Sequence, residues 1–197
     1  MIAMLQVFVT STKYTGGFTS AAGADTQCQE RANTVLKYGT WKAWMSDSTR
    51  HAKDALPANG TWQRLDGTLV GSHAQISGST LLAPINVNKY LAVASGLLLA
   101  WTGTGAAGMA VGNYCDNWKS TSLNGRAAGD LTLTNCQWTY KSNHNCGGDA
   151  RSRVWPATDR TNGVAWGVGG QLARRTPAAS TEPHDDIPKA SRHPPGG

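Results

Sequence analysis

Charge is scarce in this 197-residue chain, where Asp, Glu, Lys and Arg together make up only 15%. No run of basic residues occurs, and Arg174-Arg175 is the single adjacent basic pair. A nucleic-acid-binding stripe is therefore not expected. The net charge of +6 is spread out: residues 1–155 hold 13 Lys/Arg against 8 Asp/Glu, and residues 156–197 hold 5 against 4. Scattered positive charge leaves room for a mild attraction to acidic polysaccharide or other anionic surfaces. Long apolar runs are also missing. The longest, Tyr90–Trp101 (YLAVASGLLLAW), is too short to cross a bilayer and reads as a buried strand or strand pair. Met1–Val9 lacks the charged start of an export leader. Internal repeats are absent. What the chain does have is glycine (23), tryptophan (8) and four cysteines. That mixture suits a loop-rich, oxidised, extracellular fold. The missing leader and the cysteines are reconciled by a start codon lying downstream of a lost export signal.

Patterning gives an α+β order of elements. Leu5–Thr10 is a β-branched and aromatic run, a first strand. Ser11–Gly23 is a loop. Ala24, Cys28, Ala32, Val35 and Leu36 fall on one face of a helix, with Asp25 near its start and Gly39 ending it. Thr40–Ser46 alternates as a strand, placing Trp41, Ala43 and Met45 on one side and Lys42 and Trp44 on the other. Ser46-Asp47-Ser48 offers caps for a short helix through Leu56, on which Asp47, Arg50 and Asp54 form an exposed ladder. Trp62–Leu82 is short-strand material with a hairpin signal at Asp66-Gly67. Trp101–Cys146 holds three cysteines and three tryptophans, a cross-linked unit. Pro156–Gly197 has no periodicity and too little apolar surface to offset its ordering entropy, so it reads as disordered.

Several of these segments carry a resemblance. Gly23-Ala24-Asp25-Thr26-Gln27-Cys28 opens a helix. Gly39-Thr40-Trp41-Lys42-Ala43-Trp44-Met45-Ser46, Trp101-Thr102-Gly103-Thr104 and Tyr114-Cys115-Asp116-Asn117-Trp118 follow in order. Over residues 5–151 the chain resembles the endostatin-like group, and most closely its bacterial, mostly secreted or surface-attached domains. The resemblance implies a C-type-lectin-like fold: a mixed, mainly antiparallel twisted sheet, two helices, long loops and nested disulfides. It implies a domain over 1–151 and a tail over 152–197, a tail that an out-of-frame gene end would explain. It also implies that Cys115 pairs with Cys146, leaving Cys28 without its usual partner and Cys136 as an extra. The family's final cysteine would fall at Val154. A nested alternative, Cys28–Cys146 with Cys115–Cys136, keeps the family topology by a shift of register, and four cysteines allow three connectivities.

Chemistry-bearing constellations are thin. His51, His73 and His144 have no second His or Cys at zinc-site spacing, and the histidine cluster of the endostatin zinc site is missing. The carboxylate and amide triplets that hold calcium in sugar-binding C-type lectins are missing as well, since Asp116-Asn117-Trp118 has the letters in the wrong order. No metal or cofactor is expected. Asp116 with Asp130 is a nominal acid pair for glycoside hydrolysis, and Cys146 with His144, placed in an exposed loop, a nominal thiol and base. Ordinary surface carboxylates and a disulfide account for the same residues, so no catalytic residue is assigned. The expected function is non-enzymatic: an extracellular or cell-surface module binding a matrix or surface glycan or protein. Contact is expected from the loops Gly103–Gly112 and Ser120–Asp130, from Lys119, Arg126 and Lys141 for an anionic ligand, and from Trp44 and Trp62 as exposed aromatics. Trp41, Trp101, Trp118 and Trp138 are assigned to the core. A hydrolase, glycosidase-like or thiol-dependent, and a truncated product without its own function are the alternatives.

Overall fold

Strand β1 (Met4–Val9) is buried on both faces. Its alternation sends Leu5, Val7 and Val9 into one apolar cluster and Phe8 into another. The computed structural model describes residues 4–35, 39–112, 114–122 and 128–156, with residues 154–156 described by backbone alone. Around β1 lies a five-stranded sheet of order β2-β7-β1-β3-β4, formed with β2 (Trp41–Ala43), β3 (Thr61–Arg64), β4 (Leu69–Ser72) and β7 (Arg153–Pro156). β1 runs parallel to β3, with Leu5 opposite Trp62, and antiparallel to β7; the β2–β7 and β3–β4 pairs are antiparallel. β5 (Leu99–Trp101) and β6 (Ala128–Asp130) form a separate antiparallel pair. With the helices α1 (Ala21–Asn33) and α2 (His73–Ser77), the chain is α+β.

The hairpin signal at Asp66-Gly67 corresponds to the β3–β4 turn, where Gly67 adopts φ +85° and donates to the Arg64 carbonyl at 2.9 Å. β7 corrects the expected boundary. The folded unit was expected to end at Arg151, yet residues 153–156 form an interior strand between β1 and β2. The tail expected to be disordered lies, from 157 on, outside the described residues.

α1 begins three residues before the periodicity suggested. The Ser20 hydroxyl accepts from the Gly23 N–H at 3.0 Å and caps the helix, and Ala21, Ala24, Cys28 and Ala32 form its buried face. Val35, expected on that face, lies past the helix end and is exposed; Leu36 falls outside the described residues. Ser20→Ala should cost about 1 kcal/mol, read as a lower urea midpoint at unchanged m value.

Three expectations fail for identifiable reasons. β2 stops at Ala43, so the alternation that would expose Trp44 stops with it; Trp44, Met45 and Ser46 are all fully buried. Trp44 Nε1 donates to the Thr139 hydroxyl at 2.9 Å, and its ring lies 5.1 Å from that of Trp138. Trp62 is also fully buried, because β3 is an interior strand covered by α2, whose His73 ring is 6.0 Å away. Neither tryptophan is available to a partner. The segment Tyr90–Trp101 is not a buried strand pair: only Leu99–Trp101 is a strand, while Tyr90, Leu91 and Val93 are exposed. Trp41, Trp101, Trp118 and Trp138 are buried, as their positions suggested.

Candidate functional site

Residues 44–54 leave β2, turn sharply and form one wall of a cleft of about 350 Å³ lined by Asp47, Ser48, Thr49, Arg50, His51, Asp54, Ala110 and Tyr114. Its floor is set by Asp47, whose short side chain closes a local turn. One oxygen accepts from the Thr49 N–H at 2.8 Å, the Thr49 hydroxyl at 2.6 Å and the Arg50 N–H at 3.1 Å. The other accepts from the Ala21 N–H at the start of α1 at 2.9 Å. Burial pushes the Asp47 carboxyl up. The hydroxyl and three N–H donors outweigh it and hold the group below the usual carboxylate range.

Arg50 does not join the expected exposed ladder with Asp47 and Asp54. Its guanidinium makes a two-pronged pair with Asp25 of α1, at 2.5 and 2.8 Å, and also donates to the carbonyls of Met45, Ala21 and Ala43. The expected helix through Leu56 is a single tight turn, Ala52–Ala55. His51 faces the opposite wall, where its Nδ1 lies 3.1 Å from the Ala110 N–H. Accepting that bond requires the tautomer with the proton on Nε2.

Directly after Tyr114 stands the longest run of left-handed backbone among the described residues. Cys115, Asp116, Asn117 and Trp118 have φ of +53°, +51°, +55° and +66°, a full turn of left-handed helix without a glycine. The conformation costs Cys115 and Trp118 about 1–2 kcal/mol each and Asp116 and Asn117 less, so the turn persists only because its surroundings fix it. Cys115 is bonded to Cys146 across a Cα separation of 5.6 Å. Asn117 accepts from the Ser48 N–H at 2.9 Å and donates to the Ser48 hydroxyl at 2.7 Å. Trp118 is buried, its Nε1 donating to the Ser46 carbonyl at 2.9 Å. Gly103 completes the fit: a Cβ there would lie 2.5 Å from the Ser46 carbonyl oxygen, at φ +58°. The turn therefore sets both Tyr114, whose ring is 6.4 Å from that of Trp118, and Ser48 at the cleft.

Of the cysteines, Cys115 and Cys146 form the disulfide, and the nested pairing with Cys28 and Cys136 does not occur. Cys28 is buried, its thiol pushed up mainly by burial, further by Asp25 and against the effect of Arg50. Cys136 is exposed. Lys119 is exposed but is not among the cleft residues. Lys141 is bound to Asp130 at 2.5 Å, and Arg126 lies outside the described residues. Of Gly103–Gly112, Gly103, Thr104, Gly105 and Gly108 are buried, whereas Ala106, Ala107, Met109, Val111 and Gly112 are exposed and Ala110 lines the cleft. Of Ser120–Asp130, residues 123–127 lie outside the described residues and 128–130 are the buried strand β6.

Asp116, Asp130 and His144 share no bond. Burial pushes Asp130 up, but Lys141 and Thr132 bind it and bring it below the usual range. His144 is half-buried rather than exposed; its ring lies 5.2 Å from that of Trp101 and its Nε2 3.2 Å from the Asp149 carbonyl. Among the described residues no three His, Cys, Asp or Glu groups gather to hold a metal ion, and no helix is long and apolar enough to cross a membrane.

Sequence reasoning passed over the cleft. Ser46-Asp47-Ser48 carried a signal, read as helix caps, where Asp47 instead closes a turn with Thr49 and Arg50, and His51, Ala110 and Tyr114 meet only in three dimensions. No curated protein matches the chain. Residues 11–137, which contain every residue of the cleft and the left-handed turn beside it, match a family described as a protein of unknown function (DUF1554), and the chain belongs to that family.

Proposed function

We propose that this chain is an exported, non-catalytic binding module of the endostatin-like, C-type-lectin-like kind, and that the Asp47–Tyr114 cleft takes a neutral, hydroxyl-rich ligand, a surface or matrix glycan. One observation carries the binding site: a strained, glycine-free turn pinned by a disulfide holds Ser48 and Tyr114 at the cleft. Strain of that kind concentrates at sites where geometry must be fixed before a ligand arrives. Among the described residues, the Asp54 carboxylate, His51 Nε2–H and Tyr114 hydroxyl are not consumed by other bonds. With the Tyr114 ring they offer acceptors, donors and one aromatic face, the combination that sugar hydroxyls and C–H faces require. An anionic polysaccharide fits less well here, because the cleft lining carries the carboxylates Asp47 and Asp54 and its Arg50 guanidinium is already paired with Asp25.

The catalytic alternative has little to work with. The candidate thiol is in a disulfide, Asp130 is tied to Lys141, and Asp47 is saturated with donors. The family resemblance draws support from Cys28, whose sulfur lies 3.9 Å from the Arg153 carbonyl on β7. That is one residue from position 154, where the resemblance expects the missing cysteine. An oxidised pair fits export.

A glycan array followed by titration calorimetry tests the reading. Tyr114→Ala and Asp54→Ala should each weaken the best glycan about tenfold or more, the loss of a stacked face or of a charged hydrogen bond. A glycan bound equally by both variants, or one that is hydrolysed on incubation, would overturn it.

A further inference from the structure

Away from the cleft, residues 86–94 form a small hairpin that leaves Tyr90, Leu91 and Val93 exposed. Its base is fixed: Val87 bridges Val93, the Ala94 N–H donates to the Asn86 carbonyl at 2.7 Å, and the Val9 N–H at the end of β1 donates to the Val87 carbonyl at 2.9 Å. The tip is fixed as well. The Asn88 side chain accepts from the Tyr90 N–H at 2.8 Å and the Ala92 N–H at 3.2 Å, while the Leu91 N–H donates to the Asn88 carbonyl at 3.0 Å. The turn holds Leu91 at φ +61°, a conformation that Asn or Asp tolerates better than leucine. Tyr90, Leu91 and Val93 are 66%, 59% and 63% exposed, the three highest values among the exposed large apolar residues.

Burial elsewhere gives these side chains no structural task, since they do not join either core cluster. Two cations lie behind them. The Lys89 ammonium is 4.9 Å from the centre of the Tyr90 ring and donates to the Thr34 hydroxyl at 2.6 Å, tying the hairpin to the end of α1. Arg31, on the last turn of α1, accepts from the same Thr34 hydroxyl at its carbonyl at 2.8 Å, and its guanidinium donates to the Tyr14 hydroxyl at 2.7 Å. Val35, beside Thr34, adds a further exposed aliphatic.

We propose that this hairpin is a membrane-surface anchor, with Tyr90, Leu91 and Val93 entering the interfacial layer of an anionic lipid bilayer. Three features select a bilayer over a protein groove or a second copy. The tip is a tight turn whose three large apolar side chains are each more than half exposed. It pairs an aromatic hydroxyl with aliphatic groups, which suits the boundary between headgroups and acyl chains. Positive charge stands directly behind it on a chain of net charge +6, complementary to acidic headgroups. Because the turn is already ordered, insertion costs little conformational entropy. A single short tip gives reversible attachment.

Vesicle co-sedimentation of the full chain, with phosphatidylcholine alone and with added phosphatidylglycerol, tests this. The wild type should partition onto the phosphatidylglycerol vesicles at low salt and less at high salt. Leu91→Asp should lower that partition about tenfold or more, the loss of one buried leucine, at an unchanged melting temperature because the side chain is exposed and the turn accepts aspartate. Three outcomes would overturn the proposal. One is no partition at low salt. Another is partition that Leu91→Asp and Tyr90→Asp leave intact, which assigns it to scattered charge. The last is a dimer that fails to bind vesicles and that Leu91→Asp dissociates, which makes a second copy the occupant.

Discussion

Replacing both Cys115 and Cys146 with serine is expected to lower stability by about 4 kcal/mol by the chain-entropy relation for a loop of this length, the cysteines being 31 residues apart. Denaturant titration of the oxidised protein and the double variant reads the difference. The loss should not stop at entropy. Cys115 opens the left-handed turn, and Gly16 packs so closely that a Cβ there would lie 2.6 Å from the Cys115 sulfur. The Gly16 N–H also donates to the Cys146 carbonyl at 2.7 Å. Two separate hydroxyls need more room than one bond, so the turn is pushed where it is already strained. Relaxation of Cys115–Trp118 toward ordinary φ would break the Asn117–Ser48 bonds and move Tyr114. Cleft binding should therefore fall under reducing conditions even where the fold survives. An unchanged denaturation midpoint would show that Trp118 and Asn117 alone hold the turn.

That turn marks the limit of what the sequence could tell. Cys-Asp-Asn-Trp has no glycine and no local preference for four successive left-handed residues. Its conformation comes from a disulfide, a buried indole and an amide bonded 69 residues away. Where burial is periodic and local, the pattern was legible. β1 shows it through Leu5, Val7, Phe8 and Val9, and α1 through Ala24, Cys28 and Ala32. Asp25 was expected at the helix start, but α1 begins at Ala21 and Asp25 lies past its first turn, where it pairs with Arg50, 25 residues on, a partner with no mark in the sequence. Trp44 was misplaced because alternation has meaning only while a strand lasts, and β2 lasts three residues. Tyr90–Trp101 was misplaced for a different reason. Hydrophobicity says what would gain from burial, and a turn fixed by Asn88 can still hold it in the open.

Arg153→Met is expected to stabilise the protein at neutral pH by about 1–4 kcal/mol. Arg153 sits on β7, fully buried, with its guanidinium 5.0 Å from the centre of the Trp138 ring. Only Nη2 has an acceptor, the Asp130 carbonyl at 3.1 Å; Nε and Nη1 have none. The Asp130 carboxylate is already held by Lys141 and Thr132. Burial dominates and pushes the group down to about 9, against the opposing charge of Asp130. Unfolded, a guanidinium keeps its proton to beyond pH 12. Below about 9 both states are charged, and the native state bears the full cost of burying that charge. Between there and the unfolded value the native state holds fewer protons, so this group makes stability rise with pH. Methionine fills a similar shape, keeps the contact with Trp138 and has no charge to desolvate. It forfeits one hydrogen bond, worth about 1 kcal/mol. The gain in melting temperature should accordingly be largest near pH 7 and shrink as the pH passes about 9. A variant less stable than the wild type at pH 7 would mean that the stacking on Trp138 and the bond to Asp130 outweigh the buried charge, making Arg153 a working part of the core.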